Sequence, residues 1–232
     1  YLLGKVPSPK ILLKAFEEVK PNLILTVPLI LEKIYKKMIL PQLSKTTMKV
    51  ALNIPLLDSR IYAQIRKKLV DAFGGRFREV IVGGAAMNEE VTNFLYKIKF
   101  PFTIGYGMTE CGPLISYDHN DEYVPGSCGQ ILKGIMKVRI DSEDPYNKVG
   151  EIQVSGENVM KGYYKNEEAT KAVLDEDGWL HTGDMGTISA DGTIFIKGRS
   201  KTMILTSNGQ NIYPEEIEAK LNNMPFVMEL SL

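Results

Sequence analysis

Apolar residues return at helical spacing through the first half of the chain, and short apolar runs separate the helical stretches. In residues 11–20, Leu12, Leu13, Phe16 and Val19 share one helical face, and residues 22–26 follow as a short run of buried-strand type. Ile30, Leu31, Ile34, Tyr35 and Met38 repeat the helical pattern over residues 29–40, and residues 59–73 repeat it again before Gly74-Gly75, a C-cap signal. Residues 79–82 are β-rich and run into Gly83-Gly84. Asn88 then stands where a cap belongs for a helix over 89–99, and residues 102–105 read as the next strand. Strands alternating with helices predict parallel pairing through helical crossovers. Residues 43–57, polar and then apolar, fit neither period.

Beyond about residue 124 the pattern shortens. Strand-like runs at 135–140, 151–155 and 193–197 are punctuated by Gly, Pro, Asn and Asp, which predicts an antiparallel, barrel-like segment. A third stretch has a short run at 203–206, a polar turn through Ser207-Asn208-Gly209-Gln210-Asn211, and a helix opened by Pro214 with Glu215-Glu216 in its first turn. A last apolar-rich run from 226 to 232 reads as a strand. The expected fold class is therefore α/β: a parallel-sheet αβ part over 1–123, a barrel-like β part of the same domain over 124–200, and the start of a small α+β C-terminal domain over 201–232.

Composition narrows the function classes. The chain has 232 residues, 44% hydrophobic and 24% charged, which is ordinary for a globular domain. Its 28 basic and 28 acidic residues cancel, so charge offers no reason to expect nucleic acid as a partner. No apolar run approaches the ~20 residues that a spanning helix needs, which leaves peripheral membrane contact open. Cys111 and Cys128 are too few for a disulfide framework or a zinc site, so a reducing cytoplasm is the default expectation. The chain starts without Met and stops inside a strand-like run, as a piece of a longer protein would.

Two strings carry the candidate chemistry. Tyr106-Gly107-Met108-Thr109-Glu110 directly follows a predicted strand, where open parallel sheets gather their ligands. Tyr106 can stack on a flat ring, Thr109 can donate to a phosphate oxygen, and Glu110 offers the hard oxygen that Mg²⁺ prefers. The second string is Trp179-Leu180-His181-Thr182-Gly183-Asp184, followed by a hairpin and Lys197-Gly198-Arg199-Ser200-Lys201. A carboxylate such as Asp184 can accept from two vicinal hydroxyls at once, and a guanidinium such as Arg199 suits ribose and phosphate oxygens. Gly83-Gly84-Ala85 lets a ring or acyl chain lie against bare backbone, or simply makes a tight strand-to-helix turn. Gly150-Glu151-Ile152-Gln153-Val154-Ser155-Gly156, with Gly162-Tyr163-Tyr164 after it, reads as scaffold with a core tyrosine pair.

In this order, these strings resemble the core motifs of the adenylate-forming superfamily, which includes acyl-CoA synthetases, peptide-synthetase adenylation domains and beetle luciferases. The resemblance covers nearly the whole chain. It implies that Gly83, Gly84 and Ala85 line the adenine and acyl pocket, with Tyr106 and Gly107 beside the nucleotide. Thr109 and Glu110 would act on phosphate and Mg²⁺, and Asp184 and Arg199 on the ribose. Lys201 would be the interdomain hinge, and Gly209 would line the tunnel for coenzyme A. The residues from Thr26 to Tyr35 are similar to a segment of long-chain fatty acyl-CoA ligases, although Leu29 stands where an Arg often follows the Pro. The implied activity is that of an AMP-forming fatty acid–CoA ligase using ATP, Mg²⁺ and coenzyme A. The alternatives are an adenylation unit that loads a carrier protein and a non-catalytic nucleotide-binding module. The family's phosphate-cradling loop and catalytic Lys would lie before residue 1 and after residue 232, so the stretch by itself is expected to be inactive.

Overall fold

A computed structural model describes residues 9–206, 211–221 and 227. The chain divides into two compact units: one runs to residue 103 and includes 119–121, and the other holds 104–118 and everything from 122 onward.

In the first unit, α1 (Pro9–Val19), β1 (Leu23–Thr26), α2 (Pro28–Ile34), α3 (Leu40–Leu43), α4 (Thr46–Leu52), α5 (Leu57–Ala72), β2 (Glu79–Val82), α6 (Glu89–Lys97) and β3 (Phe102–Ile104) follow in order. The sheet order is β1-β2-β3, and β1 pairs with β2 in parallel, Thr26 opposite Val82. Both strands therefore end at the same edge, where the Gly83 N–H bonds the Thr26 carbonyl at 3.1 Å. Val80 and Val82 are fully buried, and Phe16, Phe73, Phe77 and Phe100 form an aromatic cluster with centroids 5.3–6.0 Å apart. Each such side chain contributes about 1.5–3 kcal/mol on leaving water.

The helix expected over 29–40 forms, but it is not α throughout. A π turn, Tyr35–Ile39, separates α2 from α3, and the Leu40 N–H reaches back to the Tyr35 carbonyl. The wider turn inserts one residue, so Ile39 takes the buried position expected of Met38, which is 43% exposed. Residues 43–57, which fitted neither period, contain the exposed helix α4. Asn88 caps α6 as expected, its side chain accepting from the N–H groups of Glu90 and Val91.

In the second unit, β4 (Tyr106–Gly107) and β5 (Leu114–Ser116) form a two-stranded ribbon. β6 (Met136–Asp141), β7 (Gly150–Gly156), β8 (Leu180–Ile188) and β9 (Ile194–Arg199) make an antiparallel sheet in sequential order, with the short α7 (Glu167–Lys171) between β7 and β8. This sheet is open: among the described residues there is no closed barrel. Ile152, Val154, Leu180 and Ile194 fill its core. β10 (Ile204–Leu205), β11 (Asn211–Ile212) and α8 (Pro214–Leu221) follow. Residues 207–210 and the expected terminal strand, apart from residue 227, lie outside the described residues. No helix among the described residues is long and apolar enough to cross a membrane.

Candidate functional site

β8 supplies the central carboxylate. Alternation along the strand sends Leu180, Thr182 and Asp184 to the buried face. At Asp184, 5% exposed, this puts a charged group where a side chain is normally apolar, and a buried carboxylate needs partners. It has two. The Tyr106 hydroxyl donates to Oδ2 at 2.7 Å, and the Arg199 Nε donates to Oδ1 at 2.8 Å from the facing position on β9. Burial still pushes the Asp184 carboxyl above the usual aspartate range, against the pull of both donors. The Tyr106 phenol is held above its ordinary value, first by burial and then by the charge of Asp184.

The backbone around Asp184 departs from a regular ladder. β7 and β8 pair Gln153 with His181 and then Glu151 with Met185. Between those pairs β7 spends only Ile152, while β8 spends Thr182, Gly183 and Asp184, so β8 bulges at the carboxylate. Gly183 takes φ +71° there, a left-handed conformation that suits glycine. The Thr182 hydroxyl donates to the Ile152 carbonyl at 2.6 Å and accepts the Asp184 N–H at 3.1 Å. The Gly183 carbonyl accepts the Ser200 N–H at 2.9 Å, and its N–H goes to Glu151 Oε1 at 3.1 Å.

The Tyr106–Glu110 string is folded tightly. A Cβ on Gly107 would collide with the Pro113 carbonyl, so only glycine fits. Thr109 and Glu110 sit on a 3₁₀ turn, Thr109–Cys111, with Thr109 exposed. Asn158 holds this loop, its amide donating to the carbonyls of Cys111 and Leu114 at 2.7 and 2.8 Å. Glu110 Oε1 accepts the Tyr163 hydroxyl at 2.8 Å. The tyrosine pair read as core is not core: Tyr163 is 37% exposed and Tyr164 88%, because α7 and the loop before it lie on the surface.

Tyr106, Asp184 and Arg199 are thus in direct contact. Glu110 has its own partner, and Lys201 lies exposed on the turn after β9. Gly83, Gly84 and Ala85 follow β2 in the first unit, with Gly84 at φ +88° and, like Ala85, exposed. Gly209 lies outside the described residues. Sequence reasoning missed Glu151, Asn158 and Tyr163 as partners of the site. Glu151 and Tyr163 stood in strings taken for scaffold, and their contacts span 32 and 53 residues.

The Asp184 carboxylate is an acceptor with capacity left over. A carboxylate has about four acceptor positions, and Tyr106 and Arg199 occupy two of them on Asp184. Magnesium fits loosely. Among the described residues no group of three or more His, Cys, Asp or Glu is placed to hold a metal ion. A single carboxylate such as Glu110 suits a cation that keeps its waters and shares substrate phosphates.

A family model described as AMP-binding enzyme matches residues 2–164. A 4-coumarate-CoA ligase of Narcissus pseudonarcissus is 37% identical over 184 residues, covering 74% of this chain and 33% of that protein. A long-chain-fatty-acid–CoA ligase of Saccharomyces cerevisiae is 29% identical over 231 residues, covering 92% of this chain and 33% of its own length. The crystal structure of ATP-bound MatB from Rhodopseudomonas palustris superposes with a TM-score of 0.70 at 28% identity, covering 98% of this chain and 40% of that one. The first curated relatives are spanned over only 29% to 55% of their length.

Proposed function

Because the chain belongs to the AMP-binding enzyme family, within the adenylate-forming superfamily, we propose that the protein carrying it is an AMP-forming fatty acid–CoA ligase. The observation that carries this reading is the buried Asp184 carboxylate, gripped by Tyr106 and Arg199 with acceptor positions to spare. In the first half-reaction a carboxylate oxygen of the acid attacks the α-phosphorus of ATP, and pyrophosphate leaves. In the second, the coenzyme A thiol attacks the acyl carbonyl, and AMP leaves.

The chain's own residues would contribute mainly by positioning and by neutralising charge. Asp184 would accept the two ribose hydroxyls. Arg199 would hold Asp184 in place and add a donor toward the nucleotide. Tyr106, only 7% exposed, would aim the carboxylate through its hydroxyl. Gly107, which tolerates no side chain, keeps that loop close. Gly83, Gly84 and Ala85 would offer a flat backbone wall, and Thr109 a hydroxyl to phosphate. Glu110 would take Mg²⁺, whose charge offsets that of the phosphates. His181 is given no proton to move, since the acid is already ionised.

Similarity along 92% of the chain to a fatty acid–CoA ligase supports an aliphatic acid of medium or long chain. The higher identity to 4-coumarate ligases supports an aryl acid as the second reading. AMP release from the full-length protein, assayed with acids from acetate to palmitate and with 4-coumarate, separates the two. Preference for octanoate or longer acids is expected, while preference for 4-coumarate, acetate or an amino acid overturns the substrate class. Coenzyme A against a carrier protein as acceptor is tested in the same assay. Asp184→Ala is expected to weaken nucleotide binding by roughly 2–4 kcal/mol, two charged hydrogen bonds being lost. Unchanged affinity removes Asp184 from the site.

A further inference from the structure

Glu151 stands apart from the nucleotide-facing residues, yet it closes the irregularity of β8 that carries Asp184. Where β8 spends three residues against one of β7, the Gly183 N–H leaves the backbone ladder. A backbone donor at such a place needs an acceptor, and Glu151 Oε1 supplies it at 3.1 Å. The other oxygen, Oε2, lies 2.8 Å from His181 Nδ1 on the same strand. One carboxylate thus ties the entry of the bulge, at His181, to its middle, at Gly183, one residue from Asp184.

Glu151 is itself held. The Gln153 amide nitrogen lies 3.3 Å from Glu151 Oε2, and the Arg139 Nε donates to Gln153 Oε1 at 2.6 Å. Arg139 lies over the Trp179 ring at 4.3 Å and reaches Asp175 at 3.3 Å. With side-chain exposures of 23% and 38%, Glu151 and His181 form a pair that is partly withdrawn from solvent.

We infer that Glu151 is a positioning residue for Asp184: by holding the Gly183 N–H and His181 it sets the bulge that aims the carboxylate at the ribose. This rests on the assignment of Asp184 to the ribose. Nothing in it requires Glu151 to touch substrate. Its effect should therefore appear as selectivity for the ribose hydroxyls and not as a change in the chemical step.

The test compares ATP with 2′-deoxyATP and 3′-deoxyATP in full-length enzyme, reading KM and kcat for each. The native protein is expected to prefer ATP by about ten-fold, the scale of one charged hydrogen bond. Asp184→Ala should erase that preference; if it does not, the ribose assignment itself is wrong. Glu151→Ala should raise the KM for ATP, leave kcat nearly unchanged, and cut the preference to roughly a third of its native size. Glu151→Asp, which keeps the charge but is too short to reach, should behave the same way and serves if the Ala variant does not fold. Glu151→Gln can still accept the Gly183 N–H and should restore the preference. A role confined to folding would lower yield and melting temperature in the Ala variant without moving the ratio. Native preference in both Glu151→Ala and Glu151→Asp, with Asp184→Ala having lost it, overturns the inference.

Discussion

Asp184 occupies an inward strand position that would normally hold an apolar side chain, and its neighbours make that tolerable: a phenol on one oxygen, a guanidinium on the other. Cys111 and Cys128 make the opposite use of burial. Both are free thiols, and burial above all pushes each up to about 11. A thiol with that pKa is roughly 0.1% thiolate at pH 8, and the thiolate is the reactive form. Sulfhydryl reagents at pH 8 should therefore leave both cysteines unmodified in native protein for long times, and modify both quickly in concentrated urea. Peptide mapping reads each site separately. Rapid native labelling of Cys128 would show that its shell is open to solvent. The sign is plain: labelling of the folded protein should climb with pH toward 11, well after that of the unfolded chain.

At the scale of elements, period and punctuation made much of the architecture legible. β2 at Glu79–Val82 and the Asn88 cap were readable because an apolar run and a capping side chain are local signals. The Tyr106, Asp184 and Arg199 constellation was legible as motifs, although their mutual contact was not, since Tyr106 and Asp184 lie 78 residues apart. The π turn at Tyr35–Ile39 left no mark on the apolar pattern, because an extra residue in a helix changes hydrogen bonding before it changes composition. The antiparallel character of the β-rich segment was legible, whereas whether it closes was not. Short strands with turn residues between them are equally at home in an open sheet, and only the pairing of the outermost strands distinguishes the two. β8 was harder still, because the site motif hid a strand running to Ile188. The roles of Glu151 and Tyr163 were illegible for a related reason: each depends on a partner that pairing between strands or loops brings near, and neither stands in a spacing that announces it.

At the scale of the whole molecule, Lys201 marks where the β-sheet segment hands over to β10, β11 and α8. Around it, the Arg199 carbonyl accepts the Met203 N–H at 3.1 Å, and the Thr202 hydroxyl donates to Glu215 Oε1 at 2.7 Å. If the two half-reactions use two placements of the C-terminal part, one residue here must change its backbone angles between them. Proline fixes φ near −65°. In the full-length protein Lys201→Pro should keep at least part of the acid-dependent pyrophosphate exchange and lose thioester formation, whereas Lys201→Ala should be mild in both. Equal loss of both activities in the Pro variant, or normal thioester formation, would place the hinge elsewhere.

The bulge in β8 also has an arithmetic side. Three residues facing one is an excess of two, an even number, so inside and outside keep the same parity above and below it: Leu180, Thr182, Asp184 and Gly186 all face inward. Removing Gly183 alone would make the excess odd and turn every later side chain of the strand to the wrong face, ending with Ile188. Removing Thr182 and Gly183 together would restore an even ladder, with Asp184 opposite Ile152. The double deletion should therefore melt closer to the native temperature than the single deletion while binding nucleotide poorly, and thermal melts beside nucleotide titrations read both. Across the β7–β8 pair the count advances in steps of two, and Asp184 sits in the extra step.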